Sequence, residues 1–120
     1  MKLVRWLPAT AWAAVIFGLS AQPGNRLPGG FSTLAHFVAY AVLGALIAVA
    51  VTTDWGWQQV LLATLLASLY GVTDEWHQSF VPLRTPDPLD WLVDTIGALV
   101  GATLITLAVR RRRASMRDAQ

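Results

Sequence analysis

The side chains best suited to chemistry in this sequence lie in one short stretch, Asp74-Glu75-Trp76-His77-Gln78. Two carboxylates, an imidazole and an amide this close together can transfer protons, bind a divalent cation or hold a polar head group. We therefore treat Asp74, Glu75 and His77 as candidate catalytic residues. Their spacing matches no standard zinc motif such as H-E-x-x-H, so we assign no metal ligands and leave the cofactor unknown.

Further polar residues stand at helical spacing in neighbouring segments. Residues three and four apart share one face of a helix, which pairs His36 with Tyr40 and Asp90 with Asp94. Arg84 adds a fork-shaped donor that suits phosphate or carboxylate. The candidate binding residues are therefore His36, Tyr40, Gln78, Arg84, Asp90 and Asp94.

Asp94 is the most constrained of these residues. It lies about 6 Å deeper in its predicted helix than Asp90, at about 1.5 Å per residue. A carboxylate at this depth is costly against lipid and usually faces the interior of a helix bundle. We expect Asp94 to have His36, Tyr40 or Arg84 as its partner. Asp87-Pro88, just upstream, is typical of a helix N-cap followed by proline.

Composition indicates a membrane protein. The chain has 120 residues, of which 55% are hydrophobic and 13% charged, whereas soluble domains carry about 25% charged residues. This composition argues against a soluble enzyme, a disordered tail or a nucleic-acid-binding protein. The absence of cysteine also excludes disulfides and thiolate chemistry.

Four segments are long and apolar enough to cross a bilayer, for which about 20 residues suffice. They predict an all-α, four-helix transmembrane bundle that forms a single domain over residues 1–120. The expected spans are 3–21, 31–53, 57–73 and 89–109.

Basic residues predict the orientation of these spans. Lys2 and Arg5 open the chain and Arg110–Arg113 follow the last span. Because basic residues near span ends favour the cytoplasmic side, both termini are expected to be cytoplasmic. The loops 23–30 and 74–88 then face outward. The first span also resembles a secretory signal peptide, which is an alternative interpretation of residues 3–21.

Several of these residues form a recognisable pattern. It resembles the VanZ-like family of small bacterial membrane proteins, from about Ser20 to Gly101. Two positions depart from the family pattern: Asp94 replaces an asparagine, and Leu83 replaces a small residue before Arg84. The matching motifs are His36-Phe37-x-x-Tyr40-x-x-x-Gly44, Asp74-Glu75-x-His77-Gln78-x-Phe80-x-Pro82-x-Arg84, and Asp90 followed by Gly97 and Gly101.

The resemblance implies a multi-pass protein of the bacterial plasma membrane. It also implies an accessory role in the cell envelope, of the kind that lowers susceptibility to the glycopeptide teicoplanin. It implies no particular reaction.

The favoured functional hypothesis is binding at the outer leaflet. The ligand would be a membrane lipid or a lipid-linked envelope precursor. Arg84 and His77 would contact phosphate, while Asp74, Glu75 and Asp90 would contact an amine, a sugar hydroxyl or a bridging cation.

The alternative is a membrane-embedded hydrolase or transferase acting on such a lipid-linked substrate. Glu75 or Asp74 would be the base, and His77 would be the acid or a metal ligand together with His36. A transport function is disfavoured, because stretches 42–51 and 61–67 contain Thr64 as their only hydrogen-bonding side chain. The small-residue face of Gly97 and Gly101 suggests a homo-oligomer interface.

Overall fold

All regular secondary structure in the described part of the chain is helical. The structure, a computed structural model, describes residues 2–22, 29–51 and 54–120. A short 3-10 helix, Lys2–Trp6, leads directly into the first α-helix. The four α-helices are α1 (Leu7–Ser20), α2 (Gly29–Val51), α3 (Trp57–Gln78) and α4 (Pro88–Asp118). The all-α prediction is confirmed for these residues. Most of the expected outward loop 23–30 lies outside them, as does the predicted end of the second span at 52–53.

Three of the helical stretches described are long and apolar enough to cross a membrane, namely Lys2–Ser20, Ser32–Val51 and Pro88–Asp118. The helix α3 has the length, 22 residues, but its polar side chains lower its mean hydropathy. Three of those polar side chains, Gln59, Asp74 and Gln78, are buried. Large apolar side chains cover its exposed face, among them Leu61, Leu65, Leu69 and Val72.

Successive helices alternate in direction, which creates two chemically different ends. At one end Ser20 contacts Gln78, and the start of α4 lies beside Glu75. We call this the acidic end, defined by Asp74, Glu75, Asp87, Asp90 and Asp94. At the other end Arg113 lies over the Trp55 ring, 5.8 Å from its centroid. We call this the arginine end, defined by Arg110–Arg113 and residues 55–57.

The last helix extends beyond the predicted membrane span 89–109. It continues to Asp118, a total length of about 46 Å at about 1.5 Å per residue. Arginine is a good helix former, so the basic run does not interrupt the helix. At its start Asp87 is the N-cap, accepting a hydrogen bond from the Leu89 backbone N–H at 2.9 Å, and Pro88 follows. The predicted N-cap is confirmed.

The helices α2 and α4 touch through their backbones. A methyl group added at Gly44 would overlap the carbonyl group of Ala98, and one at Gly97 would overlap that of Phe37. At Gly101 the obstacle is the carbonyl group of Ala41. Small residues permit this close approach in bilayers, where helices gain little from the hydrophobic effect.

This packing changes the interpretation of the Gly97 and Gly101 face. We expected it to be available to a second copy of the chain, but α2 of the same chain covers it. A homo-oligomer would therefore need another surface. The oligomeric state itself stays a prediction.

Side-chain hydrogen bonds join the remaining helix pairs, often from an aromatic donor to a helix carbonyl. The Trp12 indole donates to the Ala39 carbonyl at 2.8 Å, and the Tyr70 hydroxyl donates to that of Ala13 at 2.6 Å. The Trp91 indole donates to the Ser68 carbonyl at 3.1 Å. The helices α2 and α3 thereby lie between α1 and α4 and contact both.

The contact between α2 and α4 yields a direct stability prediction. Gly101→Ala should destabilise the protein by about 1–3 kcal/mol, because its methyl group meets backbone that cannot rotate away. Gly18→Ala is the matched control, since an added methyl there meets nothing within 4 Å. Gly18→Ala should leave stability unchanged or raise it by up to about 1 kcal/mol, because alanine favours a helix more than glycine does. Thermal unfolding in detergent measures both, and equal midpoints for the two variants would refute the close packing.

Candidate functional site

The centre of the acidic end is a contact between α2 and α4. His36 Nδ1 lies 2.8 Å from Asp94 Oδ1, and the Asp94 side chain is fully buried. This confirms that Asp94 faces the bundle and selects His36 among its expected partners. The second carboxylate oxygen of Asp94, Oδ2, is buried without a hydrogen-bond partner.

A second polar chain crosses from α2 through α3 to α1. The Tyr40 hydroxyl donates to Asp74 Oδ2 at 3.2 Å. The Gln78 amide lies 3.4 Å from the same oxygen and 3.3 Å from the Ser20 hydroxyl. The helix α3 continues through Gln78, beyond the predicted span 57–73. Asp74 Oδ1 remains buried without a partner.

The two carboxylates border a common region beside Tyr40. Gly71 marks this region on α3, because a methyl group added there would lie 3.5 Å from Asp94 Oδ2 and 3.5 Å from the Tyr40 ring. Tyr40 in turn binds Asp74. A buried carboxylate oxygen without a hydrogen bond is costly, so this region is suited to a group that donates hydrogen bonds or carries positive charge.

Glu75 extends the acidic end toward the start of α4. Its Oε2 accepts a hydrogen bond from the Asp87 backbone N–H at 3.1 Å, while Oε1 is buried and unpartnered. Glu75 lies beyond the apolar span 57–73. Burial raises the pKa of the Glu75 carboxyl, and the charges of Asp90 and Asp94 act in the same direction, while the Asp87 hydrogen bond opposes them.

The three candidate catalytic residues turn toward different helices. Asp74 contacts Tyr40 on α2, and Glu75 contacts Asp87 at the start of α4. The His77 ring stacks on Phe17 of α1, with ring centroids 4.1 Å apart. The structure therefore gives each of the three groups a different partner.

The two histidines likewise have separate partners. His36 contacts Asp94, whereas His77 packs on Phe17 and keeps a buried Nδ1 without a partner. Across residues 2–22, 29–51 and 54–120, no three His, Cys, Asp or Glu side chains are grouped so that they could hold a metal ion. The joint metal site considered for His36 and His77 does not form among these residues.

Arg84 anchors the last turn of α1. Its Nε donates to the Gln22 carbonyl at 2.8 Å, and its Nη2 lies 3.3 Å from the Leu19 carbonyl. A basic side chain at the end of a helix interacts favourably with the terminal carbonyls and the helix dipole. The preceding residue, Leu83, has a left-handed backbone with φ 63°, a conformation that favours glycine and is consistent with the small residue of the family pattern.

Two contributors to the site were not among the sequence candidates. Ser20 extends the polar chain into α1. Gly71 lies beside Asp94 and Tyr40, where an added methyl group would be 3.3 Å from the Trp91 ring. Spacing could have indicated Gly71, because Gly71, Asp74 and Gln78 follow each other at three and four residues on one helix face, but it gives no signal for Ser20 on another helix. His77, which lies in the same short stretch as Asp74, instead contacts α1, as does Tyr70.

The fold and site together describe a small helical membrane protein with a buried acidic cluster at one end. The family model for VanZ/LLP1 matches residues 3–109. The chain therefore belongs to the VanZ/LLP1 family, as its motifs indicated. Comparisons with curated proteins and with solved structures each found no match.

The raised pKa of Glu75 predicts a pH effect on stability. The folded protein holds the Glu75 proton more tightly than the unfolded chain does. Stability from this group is therefore present at low pH and is lost as pH rises from the ordinary pKa of 4.5 through the folded value. Glu75→Gln keeps an oxygen for the Asp87 N–H and removes the titration. The stability of Glu75→Gln minus that of wild type should therefore be larger at about pH 7 than at about pH 4.

Thermal unfolding in detergent at the two pH values measures this difference. A stability difference between variant and wild type that is the same at both pH values would contradict the assignment.

Proposed function

We propose that this chain is a multi-pass protein of the bacterial plasma membrane in which all four helices cross the bilayer and both termini are cytoplasmic. The exposed apolar face of α3 supports a fourth crossing, since its inward polar residues account for its low mean hydropathy. The grouping of Arg110–Arg113 at one end supports the orientation, because basic residues favour the cytoplasmic side.

The interactions of α1 support its retention as a membrane helix rather than its removal as a signal peptide. Trp12 binds the Ala39 carbonyl and Ser20 binds Gln78. Tyr70 of α3 binds the Ala13 carbonyl. Loss of α1 would leave the donors of Tyr70 and Gln78 without these acceptors.

We further propose that the acidic end faces outward and binds the head group of a lipid or lipid-linked envelope molecule. The observation that carries this proposal is the pair of buried carboxylates with one unpaired oxygen each, Asp74 Oδ1 and Asp94 Oδ2. An ammonium or hydroxyl group of a head group would supply the missing hydrogen bonds. Charge-assisted bonds of this kind are about twice as strong as neutral ones.

The geometry favours amine or hydroxyl recognition over phosphate recognition at this end. The two groups first considered for phosphate are engaged elsewhere, Arg84 with the end of α1 and His77 with Phe17. The described cluster contains five carboxylates beside His36, which repels an anion and attracts a cation.

An accessory role in the envelope follows from such binding. A small membrane protein that holds an envelope head group can limit its access to other molecules at the cell surface. Lowered susceptibility to a teicoplanin-type glycopeptide would be one consequence of that role. No bond of the ligand needs to be broken.

The proposal predicts selectivity for a lipid amine that can donate hydrogen bonds. Phosphatidylethanolamine and phosphatidylcholine share the same phosphate and chains, but the methylated amine of phosphatidylcholine has no N–H donor. We expect wild-type protein in detergent to bind phosphatidylethanolamine about tenfold more tightly than phosphatidylcholine. This difference corresponds to one charge-assisted hydrogen bond. Native mass spectrometry measures the bound lipid.

Asp74→Asn and Asp94→Asn should each reduce this preference severalfold. Without lipid, Asp94→Asn should lower stability by up to about 3–5 kcal/mol, because it removes one partner of the buried pair with His36. Asp74→Asn keeps an oxygen for the Tyr40 hydroxyl and should change stability by about 1 kcal/mol or less. Asp54→Asn, a charge loss at an exposed position near the arginine end, is the control. Equal binding of the two lipids by wild type would refute the proposal. So would a loss of lipid preference in Asp54→Asn as large as in Asp74→Asn and Asp94→Asn.

A further inference from the structure

His36 and Asp94 form a pair of the kind that enzymes use to move protons. His36 Nδ1 lies 2.8 Å from Asp94 Oδ1, and the Asp94 side chain is fully buried while 11% of the His36 side chain is exposed. The second ring nitrogen, Nε2, makes no hydrogen bond within the described part of the chain, and it is not among the buried atoms there that lack a partner. Nε2 therefore has accessible surface and can meet a reacting group.

The Asp94 carboxylate determines where the imidazole hydrogen lies. An ionised carboxylate only accepts hydrogen bonds, so Nδ1 carries the hydrogen and Nε2 of the neutral ring keeps its lone pair. When Nε2 takes up a proton, the negative charge of Asp94 stabilises the imidazolium that forms. Asp94 Oδ2 accepts no hydrogen bond from the described residues, so this charge is not shared with another donor. A carboxylate orients catalytic histidines in the same way.

Backbone packing holds the pair in position. Gly97 lies three residues after Asp94 and packs against the backbone of Phe37, the residue that follows His36. This contact fixes the height of His36 on α2 relative to Asp94 on α4. A base that is oriented before its substrate arrives is favourable for proton transfer.

The other histidine of the chain lacks this arrangement. The sequence contains two histidines, His36 and His77. The His77 ring stacks on Phe17, and its Nδ1 is buried without a partner. No carboxylate of the described residues orients the His77 ring, which makes His77 an internal comparison for His36.

The depth and charge of the surroundings indicate the kind of bond that Nε2 reaches. His36 and Asp94 each lie five residues inside their predicted spans, about 8 Å at about 1.5 Å per residue. The ester bonds of membrane lipids lie near this depth, just beneath the head groups. The charges of Asp74 and Asp90 also act on His36, and they repel an anion such as phosphate. An uncharged acyl ester therefore suits this position better than a phosphate ester.

We propose that His36 is a catalytic base for the hydrolysis of an acyl ester of a membrane lipid and that Asp94 is its positioning residue. Nε2 takes a proton from a water molecule as the water oxygen attacks the ester carbonyl carbon. The tetrahedral intermediate then expels the alcohol, which receives this proton from Nε2, and the products are a carboxylic acid and an alcohol. The reaction does not rest on the head-group binding proposed above, since its substrate contacts Nε2 and not the buried carboxylate oxygens.

Hydrolysis of 4-nitrophenyl butyrate, an uncharged ester, tests this activity with wild-type protein in detergent. The rate should exceed that of free imidazole at the same concentration by about 100-fold, the scale of a positioned base. Diethylpyrocarbonate acylates accessible imidazole nitrogens. It should modify His36 faster than His77, as measured by peptide mass spectrometry, and should abolish hydrolysis in proportion to the modification of His36. Hydroxylamine, which removes the acyl group, should restore the activity.

Two variants separate the roles of the pair. In Asp94→Asn the amide can donate to Nδ1, which moves the imidazole hydrogen to Nε2, so the folded fraction should lose at least about tenfold in kcat. His36→Ala should be inactive, and added imidazole should restore part of its rate, which a purely structural role would not allow. Asp54→Asn, an exposed charge loss near the arginine end, is the control and should keep the wild-type rate.

A wild-type rate no higher than that of free imidazole would overturn the proposal, as would activity that survives complete modification of His36. Equal modification rates for His36 and His77 would overturn the role of Asp94. The modification experiment uses wild-type protein, so it decides the proposal even where a variant fails to fold.

Discussion

The close approach of α2 and α4 is the constraint on which the rest of the structure depends. Gly97 packs against the Phe37 backbone, and Gly101 packs against that of Ala41. Phe37 follows His36, and Gly97 lies one turn beyond Asp94, so the same contact sets His36 opposite Asp94 at 2.8 Å. In a membrane, where apolar burial between helices contributes little, such backbone contact and interhelical hydrogen bonds supply much of the packing energy. A larger residue at Gly101 would therefore disturb both the fold and the polar cluster.

The two ends of the bundle have opposite chemistry because the chain places its charges with few exceptions at one end or the other. Carboxylates and His36 collect where α1 and α3 end and α2 and α4 begin. Arginines collect where α4 leaves the bundle. The acidic end has buried carboxylate oxygens without partners, and such acceptors suit a donor or cation.

Periodicity and burial cost were sufficient to predict much of the fold and part of the site. The inward direction of Asp94 followed from the cost of a carboxylate in a span, although three partners stayed possible, and the α4 cap followed from Asp87-Pro88. The sequence did not predict which neighbouring helix each side chain of α3 contacts. The inward face of a helix is about 100° wide or more, so residues on it can meet either of two adjacent helices. His77 therefore turned out to face Phe17, and Arg84 to bind α1. Mean hydropathy does not single out α3 as a span, because it averages exposed apolar residues with buried polar ones.

The side of the membrane on which each end lies tests the central claim most directly. The sequence contains no cysteine, so single cysteines can be introduced and labelled in intact cells with a membrane-impermeant maleimide. The informative positions are exposed: Asp54, Phe80 and Met116. Four crossings with cytoplasmic termini predict labelling of Phe80→Cys in intact cells, and labelling of Asp54→Cys and Met116→Cys only after permeabilisation. Labelling of Asp54→Cys and Phe80→Cys from the same side would contradict a crossing by α3, and protection of Phe80→Cys in intact cells would contradict an outward-facing acidic end.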